Sequence, residues 1–374
     1  MSFSRIPVLM KKIFFAFTLL TLSLSPILAQ KKLSLTDYTI NFKYHYGFMI
    51  QTSIEVAQLI NQKPSMLELE VLKQSTGKDI YEQVYKYTQV GASVQYLIFD
   101  PSKPLGNAVC AYPHFNFKMA ENKHNQLYLR LGYGAAFVEK RFNTYDNYKD
   151  DMISSRFNFT FSGRINYYFK IKNLNVNTGL GVLHISNGVI KVPDQGLNVV
   201  TVHLGFGISG PSTPRIHRDS IPRFHKKNVL FLSWAGGVNQ TYPVNGPDYF
   251  QSTLSAYAGR RLNYKSTINA GFDVFFDGMN KINYNEFGLS NLGPFRPIYY
   301  FKLGFAAGHE LSYKRVALLT QLGVYLYDPF KLDPPVYQRY GVKYYLSEKL
   351  FVMSALKIHF GSADFVEWTV GLRL

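Results

Sequence analysis

Apolar and polar residues alternate with a period of two along most of this chain, and this alternation constrains the fold more than any other feature. In segment 38–48, every even position is aromatic or aliphatic, and every odd position is Thr, Asn, Lys, His or Gly. Successive side chains of a β-strand point to opposite faces, so each such segment has one apolar and one polar face. Segments of about ten residues with this pattern are the sequence signature of a transmembrane β-barrel.

About eight such segments precede residue 209 and about eight follow residue 227. The chain is therefore predicted to be all-β, a transmembrane antiparallel outer-membrane β-barrel with about 14–16 strands in one barrel. Two tandem eight-stranded barrels are the alternative. We favour the single barrel because the linker does not explain the edges and the packing that two joined barrels need. The segments are 38–48, 66–73, 89–99, 108–119, 126–138, 155–170, 174–186, 198–208, 228–241, 249–262, 264–277, 298–313, 315–327, 336–347, 349–361 and 363–374.

The other classes of protein fit the sequence less well. A soluble β-sandwich also alternates, but its polar face points to water and its loops are seldom this aromatic. Aromatic residues make up 16% of the chain, which favours a barrel with aromatic belts at the membrane interfaces. Cys110 is the only cysteine, which excludes a disulfide framework and a cysteine-based metal site.

The sequence divides into four predicted regions. Residues 1–29 resemble an export signal, because Lys11 and Lys12 precede an apolar run and Ala29 offers a small-residue cleavage site. Residues 30–208 form a first barrel region, 209–227 a basic linker that contains proline, and 228–374 additional barrel strands. The predicted location is the outer membrane of a Gram-negative bacterium.

The formal charge of +17 indicates an anionic partner. Nucleic acid is an unsuitable partner for an exported barrel, and a phosphorylated glycolipid is the better candidate. Lysines spread over the surface and the barrel interior are the alternative explanation.

One hairpin brings together side chains that are unusual on the apolar side of a sheet. His184 and Ser186 continue the apolar register of segment 174–186, and Asn198 lies in the apolar register at the near end of the next strand. An imidazole two positions from a serine on one face is close enough to serve as its base, and Asn198 is placed to orient the ring. Asn187 and the loop amides around Gly188 and Val189 are candidate donors to an oxyanion. On the residues alone, an interfacial His and Ser without catalytic function is the alternative.

The position of this hairpin follows from strand parity. If the chain enters the barrel from the periplasm, odd-numbered strands run outward, and the seventh ends at the cell exterior. His184 and Ser186 would then face the outer leaflet of the membrane. Residues 357–361 faintly resemble 183–186, with Gly361 in the place of the serine. If the second half is a degenerate duplicate of the first, the second copy has lost the hydroxyl group.

The stretch His184-Ile185-Ser186-Asn187-Gly188-Val189-Ile190-Lys191-Val192-Pro193-Asp194-Gln195-Gly196-Leu197 resembles the C-terminal signature of the PagL family, the lipid A 3-O-deacylases of the outer membrane. That signature is His-x-Ser-Asn-Ala/Gly, an aliphatic residue and Lys, then Pro-Asn-x-Gly-Ile-Glu, and the spacing matches without a gap. The resemblance implies hydrolysis of the ester-linked acyl chain at position 3 of lipid A, without a metal or another cofactor. It implies that His184 is the base, that Ser186 is the nucleophile and that the family's asparagine is Asn187.

The sequence departs from the family pattern at two positions. The acidic member of the family's triad falls on Asn198, and the family's loop asparagine falls on Asp194. An amide orients an imidazole but does not stabilise imidazolium as a carboxylate does, and Asp194 is a candidate to supply that charge. Lys191 matches the family and is a candidate contact for a phosphate of lipid A, with an ordinary solvated lysine as the alternative.

The sequence thus predicts an outer-membrane serine esterase that acts on lipid A or lipopolysaccharide and contacts outer-membrane lipid, with a homodimer as a possible assembly. Two other functions stay open at this point, a porin-like channel and a barrel that binds lipopolysaccharide through a decayed site. The replacement at Asn198 is the best support for the decayed site.

Overall fold

The computed structural model describes residues 38–51, 54, 56–100, 102–210, 217 and 219–374, and the export signal predicted at 1–29 lies outside them. The described residues form sixteen β-strands, one for each alternating segment of the sequence. The strands are β1 (Tyr38–Met49), β2 (Ser65–Lys73), β3 (Gln89–Ile98), β4 (Ala108–Glu121), β5 (Asn125–Val138), β6 (Phe157–Ile171), β7 (Leu174–Ser186), β8 (Leu197–Ser209), β9 (Lys227–Asn239), β10 (Tyr249–Arg261), β11 (Ser266–Asp277), β12 (Phe301–Tyr313), β13 (Val316–Tyr327), β14 (Val336–Tyr345), β15 (Leu350–His359) and β16 (Ser362–Arg373).

The strands close into two antiparallel eight-stranded barrels, β1–β8 and β9–β16. The all-β prediction is confirmed, and the observed arrangement is the alternative of two tandem barrels. The single barrel that we favoured does not form, because β8 pairs with β1 from Thr39–Ser209 to Met49–Val199. A strand has two edges, and this pairing leaves β8 without a free edge for β9. The second barrel closes in the same way when β16 pairs with β9.

The outer surface of the barrels is apolar and many interior side chains are polar, the reverse of a soluble domain. Ile40, Phe42 and Phe206 lie on the outer surface, while Asn41 and Lys43 are fully buried in the interior. This distribution is typical of an outer-membrane β-barrel.

Charged side chains occupy part of the interior of the first barrel, and a buried apolar cluster that includes Leu183 and Ile185 occupies another part. Arg130 forms ion pairs with Glu68 and Glu70, and Lys43 Nζ lies 2.8 Å from Glu70 Oε2. His45 Nε2 lies 2.8 Å from Glu68 Oε2, and all five side chains are fully buried. An eight-stranded barrel is just wide enough for side chains to fill, so this interior is a packed core rather than a water-filled pore.

The interior of the second barrel is also charged. Arg339 Nε donates to Glu367 Oε2 at 2.5 Å, and its Nη1 lies 3.3 Å from Asp273 Oδ2. Lys343 pairs with Glu310, whose side chain points into the barrel. These buried pairs share the interior of the second barrel with apolar and aromatic side chains such as Phe231 and Phe351.

The helices are short and lie in the connections between strands. They are α1 (Ile80–Val84), α2 (Asn280–Glu286) and two 3₁₀ turns at Leu289–Leu292 and Pro297–Tyr300. Within the described ranges, no helix has the length and apolar character needed to cross a membrane.

The two barrels contact each other near α1. Tyr85 Oη donates to the Ser312 carbonyl at 2.8 Å, and Arg261 Nη2 donates to Tyr81 Oη at 2.9 Å. A second set of contacts lies at the opposite end of the strands, beside the β7–β8 hairpin.

Candidate active site

The β7–β8 hairpin places His184 directly opposite Asn198. The two strands pair in register from Leu174–Ile208 to Ile185–Leu197, so the predicted hairpin forms. Opposite residues of an antiparallel pair point to the same face. His184 and Asn198 therefore share the outer face, while Ile185 points inward and is fully buried.

Both nitrogens of the His184 ring are engaged. Nδ1 lies 2.8 Å from Asn198 Oδ1, and Nε2 lies 2.8 Å from Ser186 Oγ. The amide oxygen only accepts hydrogen bonds, so the proton of the neutral ring is on Nδ1. Nε2 is then free to accept the hydroxyl proton of Ser186. This is the tautomer that a general base requires.

A glycine lets the chain pass close to the imidazole. Gly196 has a φ of +74°, and a β-carbon there would lie 2.8 Å from His184 Cε1. A larger residue would push the ring away from Ser186 or strain the backbone. Gly196 had no role predicted from the sequence, although its place in the signature could have indicated one.

The side chain of Asn187 is buried and bonded within its own loop. Its Nδ2 donates to Ser154 Oγ and to the Lys191 carbonyl, both at 3.1 Å, and its Oδ1 accepts from the Lys191 amide at 3.0 Å. Asn187 thus shapes the loop in this conformation. The Lys191 side chain itself is exposed beside the loop.

Asp194 lies on the amides that the sequence predicted as oxyanion donors. Its Oδ2 accepts hydrogen bonds from the backbone N–H of Asn187 at 3.0 Å and from the backbone N–H of Val189 at 3.2 Å. Burial raises the pKa of the Asp194 carboxyl to about 7, against the hydrogen bonds from Val189, Asn187 and Gly188, which lower it. None of the described contacts joins Asp194 to His184. The prediction that the charge of Asp194 stabilises the imidazolium therefore has no direct contact to support it.

A second loop supports the site, and the sequence interpretation missed it. Asp150 accepts from the Met152 and Ile153 amides at 3.3 and 3.4 Å, and burial raises the pKa of its carboxyl to about 7. Ser154 Oγ then donates to the Lys191 carbonyl at 2.8 Å. The segment lies more than thirty residues from the loop it supports, and no local pattern marks it.

The second barrel also reaches the site loop. The backbone N–H of Gln240 donates to the Val189 carbonyl at 3.1 Å. A β-carbon on Gly188 would lie 2.4 Å from Val366 Cγ2. The sequence left the contribution of residues 228–374 open, and these contacts place that half of the chain against the site loop.

The sequence resemblance between the two seventh strands does not extend to the direction of their histidines. His359 points into the barrel, where its Nε2 lies 3.0 Å from Tyr325 Oη, whereas His184 points outward. The resemblance between 357–361 and 183–186 therefore does not align equivalent faces of β15 and β7. Among the described residues, no cluster of three or more His, Cys, Asp and Glu side chains could hold a metal ion.

Two sequence families match the chain, one for each barrel. Residues 70–207 match the family described as lipid A 3-O-deacylase (PagL), and residues 228–374 match the family described as acyloxyacyl hydrolase, C-terminal domain. The first range runs from β2 to β8, and the second covers β9 to β16. No curated protein matches the chain.

Several solved structures resemble the chain. The outer membrane enzyme PagL is 16% identical, with 44% of this chain and 97% of that chain covered and a TM-score of 0.31. A triple mutant of the Rhodopseudomonas blastica porin is 10% identical, with 90% and 100% covered and a TM-score of 0.20. The NanC porin is 6% identical, with 89% and 97% covered and a TM-score of 0.15.

Proposed function

The chain belongs to the PagL-like family of lipid A deacylase barrels, and from this premise we propose that it is an outer-membrane serine esterase. Its substrate is lipid A, from which it removes the ester-linked 3-O-acyl chain. The observation that carries the proposal is the hydrogen-bonded series Asn198–His184–Ser186 on the outer face of the barrel. A nucleophile, a base and an orienting group in that order are the arrangement of a serine esterase.

The reaction proceeds through an acyl-enzyme. Ser186 Oγ attacks the ester carbonyl of lipid A while its proton passes to His184 Nε2. The tetrahedral intermediate collapses, the bond to the sugar oxygen breaks, and that oxygen takes the proton from Nε2. A water molecule then gives a proton to Nε2 and attacks the acyl group, and the fatty acid leaves as Ser186 regains its proton.

Asn198 supplies one of the two functions of a triad carboxylate. It holds the ring in the tautomer that leaves Nε2 unprotonated, but its neutral amide does not balance the charge of the imidazolium. We therefore propose a slower esterase than one with an aspartate or a glutamate at this position.

We assign the oxyanion donors to the loop amides at Asn187, Gly188 and Val189. In the described conformation these amides hold Asp194, whose carboxyl has a pKa of about 7. A protonated carboxyl accepts hydrogen bonds more weakly than a carboxylate. The developing oxyanion would compete with Asp194 for these donors most easily when the carboxyl is neutral.

The site is proposed to face the outer leaflet. β7 is an odd-numbered strand of its barrel, and the catalytic pair lies at its end, beside a loop with the exposed Lys191. A lysine near the headgroup level would pair with a phosphate of lipid A.

A non-catalytic barrel that binds lipopolysaccharide is the second candidate. The neutral amide of Asn198 and the occupation of the loop amides by Asp194 favour it. A porin-like channel is a poorer candidate, because buried ion pairs and apolar side chains occupy both interiors.

Mass spectrometry of lipid A tests the proposal. Cells that produce the full chain are expected to lose one 3-linked acyl chain from lipid A, and cells that produce Ser186→Ala are not. Folding of both proteins is checked by the shift in electrophoretic mobility between heated and unheated samples. Unchanged lipid A with both proteins, in cells and in detergent extracts, would leave binding as the better function.

A further inference from the structure

A furrow lies between the two barrels beside Ser186, with Phe161 and Val182 on the first barrel and Trp234 and Trp368 on the second. We propose that this furrow binds the acyl chain of the substrate, and that Trp368 sets the preferred length of that chain. This inference rests on the proposed esterase function. It gives the second barrel a place in substrate recognition.

The burial of Val366 locates the contact between the barrels. Val366, Trp368 and Val370 alternate on the outer face of β16, and the last two are 55% and 44% exposed. Val366 is only 3% exposed, because the loop at Gly188 covers it. The wall of the second barrel thus begins at the loop that follows Ser186.

The contact continues along β6 and β5 of the first barrel. Phe159 lies directly opposite Ser186 in the β6–β7 register, and its ring centroid is 5.8 Å from that of Trp368. One strand further along, Tyr133 Oη lies 3.1 Å from Ser354 Oγ. These contacts close one side of the furrow, and the Ser186 hydroxyl lies at its edge.

The walls of the furrow are apolar. Phe161 and Val182 lie on the first barrel next to the catalytic pair, and both are exposed on its outer face. On the second barrel, Trp368 and Trp234 are diagonal neighbours on β16 and β9, and they are the only tryptophans of the chain. Gly236, opposite Trp368, leaves room for the Trp234 ring, whose Cη2 would lie 3.2 Å from a β-carbon there.

This surface suits an acyl chain, because its exposed side chains are apolar. The ester carbonyl must lie at Ser186 Oγ, so the chain attached to it begins beside Phe159 and Trp368. An aromatic belt at the membrane interface is the alternative explanation for the exposed tryptophans. Such a belt does not require Trp368 to pack on Phe159, opposite the nucleophile. Each methylene buried in such a groove changes affinity by about fourfold, so a wall residue can select chain length.

The first test measures hydrolysis of p-nitrophenyl butyrate and p-nitrophenyl tetradecanoate by the purified full chain in detergent. Trp368→Ala is expected to lower kcat/KM for the long ester by about tenfold or more, and to leave the short ester within about twofold. Trp368→Phe should retain most of the long-ester activity. Leu372→Ala is the matched control, on the same face of β16 and further from the site. Equal losses on both esters, or no loss on either, would overturn the proposal.

The second test measures binding without catalysis. The variant Ser186→Ala/Trp234→Phe keeps Trp368 as its only tryptophan, and brominated tetradecanoic acid should quench its fluorescence in a saturable way. Quenching that rises linearly with the added probe, as for simple partition into micelles, would overturn the furrow. A wild-type chain that hydrolyses neither ester argues against the esterase function, and saturable quenching would then support the furrow alone.

Discussion

The two barrels have the same strand number, closure and charged interior, but they end their seventh strands differently. In the first barrel, β7 and β8 are joined by a ten-residue loop, and His184 points outward to Ser186. In the second barrel, the equivalent strands β15 and β16 are joined by a tight turn at Phe360 and Gly361, and His359 points inward to Tyr325. The candidate site therefore depends on the register and length of one hairpin rather than on the barrel itself.

The second barrel contains a different contact between a serine and a histidine. Ser266 Oγ lies 2.6 Å from His309 Nε2 on β11 and β12, at the other end of the barrel. Within the described ranges, no side chain bonds to Nδ1 of His309, whereas Asn198 binds Nδ1 of His184. A short distance between serine and histidine is thus common to both barrels, and the orienting amide and the long loop are found in the first.

The largest expected effect tests whether the site belongs to the first barrel alone. His184→Ala is expected to lower kcat for lipid A deacylation by about a thousandfold or more, because Ser186 loses its base. His359→Ala and Ser266→Ala are the matched changes in the second barrel, and both should keep activity within about twofold. Activity is measured as fatty acid released from lipid A in detergent. Comparable losses with the second-barrel variants would mean that the site is assigned to the wrong barrel.

The next effect concerns the orienting residue. Asn198→Asp is expected to raise kcat by about tenfold, because a carboxylate holds the same tautomer and also stabilises the imidazolium. Asn198→Ala should lower kcat, since it frees the ring. Steady-state kinetics on one lipid A preparation checks both variants. If Asn198→Asp and Asn198→Ala lose activity to the same extent, the amide does more than orient the ring.

A smaller effect compares two glycines with positive φ, Gly188 and Gly361. Alanine at either position costs about 1 kcal/mol in backbone strain. At Gly188 the new β-carbon would also meet Val366 of the second barrel, whereas at Gly361 nothing lies within 4 Å. We expect Gly188→Ala to lower activity several-fold and Gly361→Ala to leave it unchanged. Equal behaviour of the two variants in rate and in thermal unfolding would contradict a functional contact between the barrels.

A separate effect is on the pH dependence of stability. The pKa values of Asp194 and Asp150 are raised to about 7 by burial, so the folded first barrel holds protons that the unfolded chain has released. Its free energy of unfolding should therefore fall as pH rises from about 4 to about 7, and stay level above that. Asp194→Asn should remove about half of this slope, measured as the unfolding temperature at several pH values in detergent.

The second barrel should respond in the opposite direction. Burial would raise the pKa of Asp333, but Lys302, with Nζ 2.7 Å from its Oδ2, lowers that pKa below the usual value. This stabilisation is present above about pH 4 and is lost as pH falls further. If the free energy of unfolding of both barrels fell in parallel between pH 4 and pH 7, this predicted difference between their loops would be contradicted.

The sequence predicted the strands well because the membrane and the interior impose opposite demands on alternate residues. All sixteen segments became strands, and Ile40 and Phe42 face outward as their register indicated. Closure was not predictable in the same way. It depends on the pairing of β1 with β8, about 160 residues apart, and alternation carries no information about which edges meet.

The candidate site was predicted in part, and the division follows sequence distance. His184, Ser186 and Asn198 share one hairpin, so strand periodicity alone brought them to one face. The supporting loop at Asp150 and the wall at Val366 come from distant parts of the chain, and no local pattern marks them. The use of the loop amides by Asp194 depends on loop conformation, which alternation does not determine.

The covalent connection between the barrels has a consequence for the kinetics of the protein in a membrane. β8 and β9 are joined through residues 210–226, so the second barrel stays within reach of the first. A short tether gives its partner an effective concentration in the millimolar range. Every molecule therefore carries one candidate hairpin and one neighbouring wall from the time it is synthesised. Activity per molecule should not depend on how densely the membrane is populated, whereas a site completed by separate chains would gain activity with crowding.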